Sequence, residues 1–310
     1  MTGENYELII DNGSGFTKAG FIGQDKPIIE FPTNVGHEYP NRFNKTSNIS
    51  YVGNVSDELL GILNWERPIK YGIVEDWHNM EKIWEFTFEQ LGCHSRNCTV
   101  LLTESPLNPK SNREKTTEIM FEKFGVSKFF LANRSVLALY GYGQQSGIVL
   151  NSGETVTTVV PIKNGHSLPD AIVSLKFGGQ DLTNFLIEML NNRDYSLTTE
   201  KAFKCINDFK EKHCYVSKDF DEEMAAAKAH PSVFKESCNF LNNGKPIDIF
   251  HERFRCPEAL FDPTLLGKDW PGIHQIVKKS VAKCSFDSKW ISKRNYNESG
   301  PQLVHHKCNL

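Results

Sequence analysis

Short apolar runs alternate along this chain with longer stretches whose apolar residues recur every three or four positions. Leu8-Ile9-Ile10, Cys98 to Thr103 and Gly147 to Leu150 are apolar and bounded by turn residues, which predicts buried strands. Met80 to Leu91 sets Ile83, Trp84, Phe86, Phe88 and Leu91 partly at helical spacing. Asn112 to Phe124 opens on cap-type residues, gathers Ile119, Met120 and Phe124 on one side, and stops at Gly125. Leu182 to Leu190 and Lys201 to Cys214 predict two further helices. Strands interleaved with helices imply an α/β protein with covered sheets. Two stretches read as less regular. Gly36 to Ser50, rich in Asn, Pro and Ser, is expected to be a long surface loop. Phe220 to Ile249 passes from acids through Ala and Lys to Asn242-Asn243-Gly244, a hairpin signal.

One pattern occurs twice. Leu8 to Lys18 runs as apolar strand, polar Gly-rich turn and second strand, and Ile148 to Thr158 repeats that plan. The repetition suggests two similar halves facing each other. A tight turn of Gly and Ser points successive backbone N–H groups into one small space and so binds phosphate oxygens without a charged side chain. Gly13 and Gly15 supply close approach, Ser14 a hydroxyl and Lys18 a counter-charge. Asp11 would repel phosphate unless a divalent cation or its water shell lay between them. The plainer alternative is that both turns are simple hairpins.

Composition narrows the setting without naming a chemistry. Over 310 residues, 35 Lys and Arg against 38 Asp and Glu leave a net charge of −3, so no global field draws nucleic acid or an acidic membrane. No apolar run approaches the length of a membrane-spanning helix, and no secretory leader is visible. Eight cysteines without a C-x-x-C pair read as scattered thiols of a reducing compartment. Cys93 and Cys98 flank His94, yet no second pair completes a zinc pattern, and core or surface thiols are expected.

The segment DNGSGFTKAG (11–20) resembles the first phosphate-binding hairpin of the actin family. The likeness continues through YVGN (51–54), PIKYGIVEDW (68–77), LLTESPLNPKSNREK (101–115), GIVLNSG (147–153) and VPIKNGHSLP (160–169). It runs on through KEKHCYVSKDF (210–220), ERFRCPEALF (252–261) and WISKRNYNESGPQLVHHKC (290–308). The resemblance implies the two-lobed, actin-like ATPase fold of the sugar-kinase, heat-shock-protein and actin superfamily. It also implies ATP or ADP with Mg²⁺ or Ca²⁺ in a central cleft. Its subdomains map to 1–31, 67–141 and 289–310 for the first, and to 32–66 for the second. The third maps to 142–177 and 268–288, and the fourth to 178–267. The positions implied for nucleotide are Asp11, Gly13, Ser14, Gly15, Lys18, Ser152, Gly153, Glu154, Lys210 and Glu211, with Asp11 reaching the metal through water.

Departures from the family pattern cluster at the expected chemistry. Asn151 stands where the resemblance implies an aspartate facing the cation, Glu154 for aspartate, and Thr155 for glycine. Thr158 replaces a histidine near the attacking water, and Arg134 replaces the glutamine that positions it. A fixed guanidinium would replace Mg²⁺, bind phosphate itself, or pair with Asp11 or Glu154. Neither Arg134 nor Thr158 orients and deprotonates water, so the hydrolytic site is read as disabled. Between Asp287 and Trp290 roughly sixty-five residues of the family pattern are absent, about half a small domain, leaving the third subdomain incomplete and the nucleotide affinity reduced. The loop from His37 to Ser50 is short of methionines, Tyr71 replaces a histidine, and Tyr140 and Gly143 keep part of a binding cleft.

The expected function is that of a divergent actin-like structural subunit of a cytoskeletal or motor assembly, with hydrolysis weak or absent. The alternative is an ATP-binding, polymerising ATPase. Partners are expected to be proteins of such an assembly, actin itself among them, with no direct nucleic acid and no membrane insertion. A cytoplasmic, cytoskeletal location follows, with axoneme and nucleus left open.

Overall fold

The computed structural model describes residues 5–38, 49–242, 245–284 and 303–306. The chain divides into two compact units. One comprises Met1–Val149, Val160–Ile172 and Phe286–Val304, and the other Leu150–Val159, Val173–Ser285 and His305–Leu310.

The first unit is built on a five-stranded sheet in the order Lys128–Asn133, Cys98–Glu104, Tyr6–Asn12, Phe16–Phe21, Ile29–Pro32. The first three strands are parallel, with Ile10 opposite Leu102 and Leu102 opposite Leu131. The last three form an antiparallel meander in which Asp11 faces Lys18. Parallel strands demand crossover connections, and the helical periods predicted from the sequence supply them. Helix Trp77–Gln90 starts where the Asp76 side chain accepts from the Asn79 N–H, and it buries Met80, Ile83, Trp84 and Phe88. These side chains pack with Leu8, Ile10, Val100, Leu102 and Met120 in one core. Helix Lys110–Glu118 begins two residues earlier than the cap-type residues suggested, because Pro109 sets its entry. Asn112, expected as a cap, instead donates from its side chain to the Val74 carbonyl at 2.8 Å. The same run continues as a π-turn, Ile119–Lys123, and ends at Gly125 with φ 65°.

The expected loop from Gly36 to Ser50 needs correction at both ends. Val35–Glu38 is the central strand of a three-stranded sheet, between Ser50–Val52 and Leu63–Glu66. Its polar composition hid a strand whose neighbours are distant in sequence. Residues 39–48 of that loop lie outside the described residues.

In the second unit, helices Gly179–Asn191 and Glu200–His213 pack with the hairpin Glu236–Asn242/Lys245–Ile249 over Leu182, Leu186, Ile206, Phe209, Ile247 and Ile249. The hairpin falls where Asn-Gly predicted one, although Asn243 and Gly244 themselves lie outside the described residues. Phe220–Ala229, expected to be irregular, is a helix capped by Asp219. Three acids in its first turn favour the helix dipole, which compensates its weak apolar pattern. An ion pair at 2.9 Å between the partly exposed Arg193 and the buried Glu252 ties the end of the first helix to the segment after the hairpin. Strands Gly147–Ser152 and Thr157–Lys163, which flank the second Gly-rich turn, contribute residues to both units. The expected segment 290–308 lies outside the described residues except for Leu303–His306, which form a strand.

Candidate functional site

Three parallel strands of the first unit finish side by side, at Asn12, Glu104 and Asn133. The carboxyl ends of adjacent parallel strands are the usual place for ligand groups in α/β sheets. Asp11 and Thr103 point from two of these ends, and Arg134 begins the helix Arg134–Gly141 that leaves the third. The Asn133 side chain accepts from the Ser135 N–H at 2.9 Å, fixing the helix start and the direction of Arg134.

These residues form one charged knot. Arg134 Nε donates to Asp11 Oδ1 at 2.9 Å, and its Nη2 donates to the Asn12 carbonyl at 2.7 Å. The Thr103 hydroxyl donates to the same Asp11 oxygen. Burial pushes the Asp11 carboxyl up, but the Arg134 guanidinium and the Thr103 hydroxyl outweigh it and hold the group below the ordinary aspartate range. Of the arrangements open to Arg134 from sequence, the pairing with Asp11 is the one adopted.

Asn12 supports the knot from beneath. Its side chain accepts from Trp84 Nε1 at 2.9 Å and donates to Thr17 Oγ1 at 3.0 Å, and Thr17 meets Thr33 at 2.9 Å. Lys18, opposite Asp11 on the neighbouring strand, pairs with Glu30 at 3.1 Å on the same face of the sheet and helps to lower the Asp11 carboxyl. Ser14 Oγ accepts from the Gly72 N–H at 3.2 Å, joining the turn to the Tyr71-Gly72 bend. Tyr71 there adopts the left-handed region with φ 51° and is exposed.

The two Gly-rich turns share one internal geometry. The Gly13 N–H donates to the Phe16 carbonyl at 2.9 Å, and the Gly153 N–H donates to the Val156 carbonyl at 2.9 Å. Asn12 bonds Thr17 across the first turn, and Ser152 bonds Thr157 across the second at 2.9 Å. The sequence echo is therefore a structural repeat. The first glycine of each turn spends its N–H closing the hairpin. Among the described residues the Ser14 and Gly15 N–H groups have no acceptor in the protein.

In the second unit the turn is held by the N-terminus of helix Gly179–Asn191. The Gly179 and Gln180 N–H groups donate to the carbonyls of Gly153 and Glu154, at 2.9 and 2.8 Å. Gly178 permits this approach, since a Cβ there would lie 2.4 Å from the Gly153 oxygen. Lys210, 1% exposed, donates to the Gly179 carbonyl at 3.0 Å and to Asn207 Oδ1 at 3.1 Å. Among the described residues no carboxylate pairs with this ammonium. Glu211 instead accepts from Asn207 Nδ2 at 2.9 Å. Thr155 and Thr158 hold buried hydroxyls without a hydrogen-bond partner, and Asn151 is half-buried at the end of its strand.

The structure thus gathers Asp11 with Arg134, and Gly153, Glu154 and Lys210 around Gly179. Lys18 lies across the hairpin from Asp11 and adds to the positive charge acting on it, while its ammonium pairs with Glu30. Sequence reasoning missed Thr103, Asn207 and Gly178. Thr103 ends an apolar strand, and only the strand register sets it beside Asp11. Asn207 had a readable signal, one turn before Lys210 on the polar edge of a helix.

An α/β architecture with two such hairpins, one at the carboxyl ends of parallel strands, defines an actin-like fold. The family model described as Actin matches residues 2–289, and the chain belongs to the actin family.

Members of that family generally bind nucleotide with a divalent cation. The nucleotide half of that requirement fits this chain. In the first unit, the unspent N–H groups at Ser14 and Gly15 are donors of the kind that phosphate oxygens accept. The cation half does not fit. Asp11 Oδ1 already accepts from a hydroxyl and from the Arg134 guanidinium, whose Nε is 2.9 Å from it, so a divalent ion at that oxygen would be placed against a like charge. Among the described residues no three His, Cys, Asp or Glu side chains converge as a ligand set.

Proposed function

We propose that this chain is a divergent actin-like structural subunit of a cytoskeletal assembly, binding nucleotide weakly and hydrolysing it little or not at all. The observation that carries the reading is the Arg134–Asp11 pair, closed by the Asn12 carbonyl and the Thr103 hydroxyl. Phosphoryl transfer to water relies on a cation that spreads phosphate charge and on a group that orients the water. In this chain the acid available to hold such a cation is neutralised internally. Arginine has no acceptor and does not lose its proton in proteins, so Arg134 is no base. The Thr158 hydroxyl donates and accepts but does not take up a proton near neutrality.

Within the first unit, the Ser14 and Gly15 N–H groups are the proposed phosphate donors. Ser152, Gly153 and Glu154 are proposed as lining residues, and Lys210 and Glu211 for the nucleoside. Protein partners in the cytoplasm, actin among them, complete the assembly reading. A second reading, an ATP-binding and polymerising ATPase, is favoured by the intact Gly13-Ser14-Gly15 turn with its unspent N–H groups.

Denaturing extraction of the purified chain, with counting of released nucleotide and metal, separates the two readings. The expected result is ATP or an empty site, with no stoichiometric Mg²⁺. Stoichiometric ADP with Mg²⁺ would overturn the structural reading in favour of the second.

A further inference from the structure

Two cysteines outside the site described above face each other within the second unit. Cys205 sits on helix Glu200–His213 and Cys238 on strand Glu236–Asn242, with their sulfurs 3.3 Å apart. A disulfide requires about 2.0 Å, so little more than an ångström of approach separates these thiols from a bond. The pair differs in access. Cys205 is half-buried at the edge of the helix–hairpin core, whereas Cys238 is 3% exposed within it. Three other thiols are bonded to the backbone. Cys98, Cys256 and Cys284 each donate to a backbone carbonyl, at 3.3, 3.3 and 3.4 Å. The adjacent Cys93 thiol, with burial adding, pushes the Cys98 thiol up, and burial does the same for Cys256 and Cys284, with Cys214 adding at Cys256.

We propose that Cys205 and Cys238 form a redox-sensitive pair that closes to a disulfide on exposure to a low-molecular-weight disulfide. The Cys205 thiolate attacks one sulfur of that reagent, forming a mixed disulfide and releasing one thiol. The Cys238 thiolate then attacks the Cys205 sulfur, forming the Cys205–Cys238 bond and releasing the second thiol. Two protein thiols are oxidised, the reagent disulfide is reduced to two thiols, and the two protein protons pass to the released thiolates. A thiol reductant reverses both steps, so the pair is open in a reducing compartment and closed under oxidative load.

The placement gives the bond a consequence. The helix that carries Cys205 also carries Lys210, which donates to the Gly179 carbonyl beneath the second Gly-rich turn, and Asn207, which accepts from Thr183 and Lys210. A covalent tether from that helix to the hairpin enclosing residues 205–238 restrains the element on which the second turn rests. It also shortens the unfolded chain's conformational freedom, so the closed form is the more heat-resistant one.

The test uses the full reduced chain titrated with glutathione of rising oxidised fraction, quenched by alkylation, digested and mapped by mass spectrometry. A Cys205–Cys238 linked peptide is expected to accumulate ahead of any other link, with the intact mass falling by about 2 Da per bond. The melting temperature of the oxidised chain is expected to rise by several degrees, and the rise to vanish with dithiothreitol and in Cys205→Ala. Cys93→Ala is the control and keeps both signals. Because the mapping is made on the unaltered chain, it does not depend on any variant folding. A first link elsewhere, or separate alkylation of Cys205 and Cys238 at saturating oxidised glutathione, would overturn the proposal.

Discussion

Asp11 keeps its charge in a place that penalises charge, because Arg134 and Thr103 supply more than burial removes. Replacing the arginine leaves the penalty and deletes the main compensation. In Arg134→Gln the Asp11 carboxyl is therefore expected to titrate higher than in the parent, measurable by carboxyl-carbon NMR during acid titration. The sign for stability follows from the lowered value. The native pair contributes fully above the ordinary aspartate range of about pH 4, and loses its contribution as the pH falls through the lowered native value. The urea midpoint of Arg134→Gln is expected to lie below that of the parent at pH 7, with the gap closing on acidification. A gap that widened toward acid would contradict the ion pair. The same residue illustrates how a single replacement changes a site's chemistry. A neutral group at position 134 would leave the half-buried Asp11 charge answered only by the Thr103 hydroxyl and Lys18, and so open to a cation, whereas the guanidinium answers it from within the chain.

At the scale of elements, the second Gly-rich turn depends on a helix end. Gly153 and Glu154 present carbonyls to the first N–H groups of Gly179–Asn191, which satisfies donors that a helix start otherwise leaves open. The contact tolerates no side chain at Gly178, whose φ of −164° is ordinary extended backbone, so the obstacle is space alone. Gly178→Ala is expected to cost about 1–3 kcal/mol, since the clash is with backbone that moves only by undocking the turn. Gly153→Ala serves as the contrast. Its new Cβ would lie 3.5 Å from the nearest atom outside its neighbours, an ordinary contact, and the cost is expected to stay under about 1 kcal/mol. Urea unfolding followed by far-ultraviolet circular dichroism measures both. Equal costs would show that the turn is not held by this docking. Elements were also where sequence patterns were most and least legible. Helices Trp77–Gln90 and Glu200–His213 stood out because each buries one continuous stripe, while Val35–Glu38 did not, because its partners lie at Ser50–Val52 and Leu63–Glu66.

At the scale of the whole molecule, the internal neutralisation of Asp11 and the altered second turn predict a chain that does not cycle between nucleotide states. High-speed sedimentation after addition of KCl and MgCl₂ is expected to leave the purified chain in the supernatant, with phosphate release at background. Ordered filaments, or phosphate release that rises on assembly, would overturn this. Much of the molecule was readable from the chain alone. Local periodicity determined the strands and most helices, since each needs only neighbours within a few residues to bury a face. Collinear motifs determined the family, and the Leu8–Lys18 and Ile148–Thr158 echo determined the paired hairpins. What only the tertiary structure decided were the partnerships. Asp11, Thr103 and Arg134 are scattered through the sequence and meet because three parallel strands end in register. Cys205 and Cys238 meet because a helix and a hairpin share a core. Charge pairing and thiol proximity are properties of distance in space, and spacing along a chain carries that distance only within a single element.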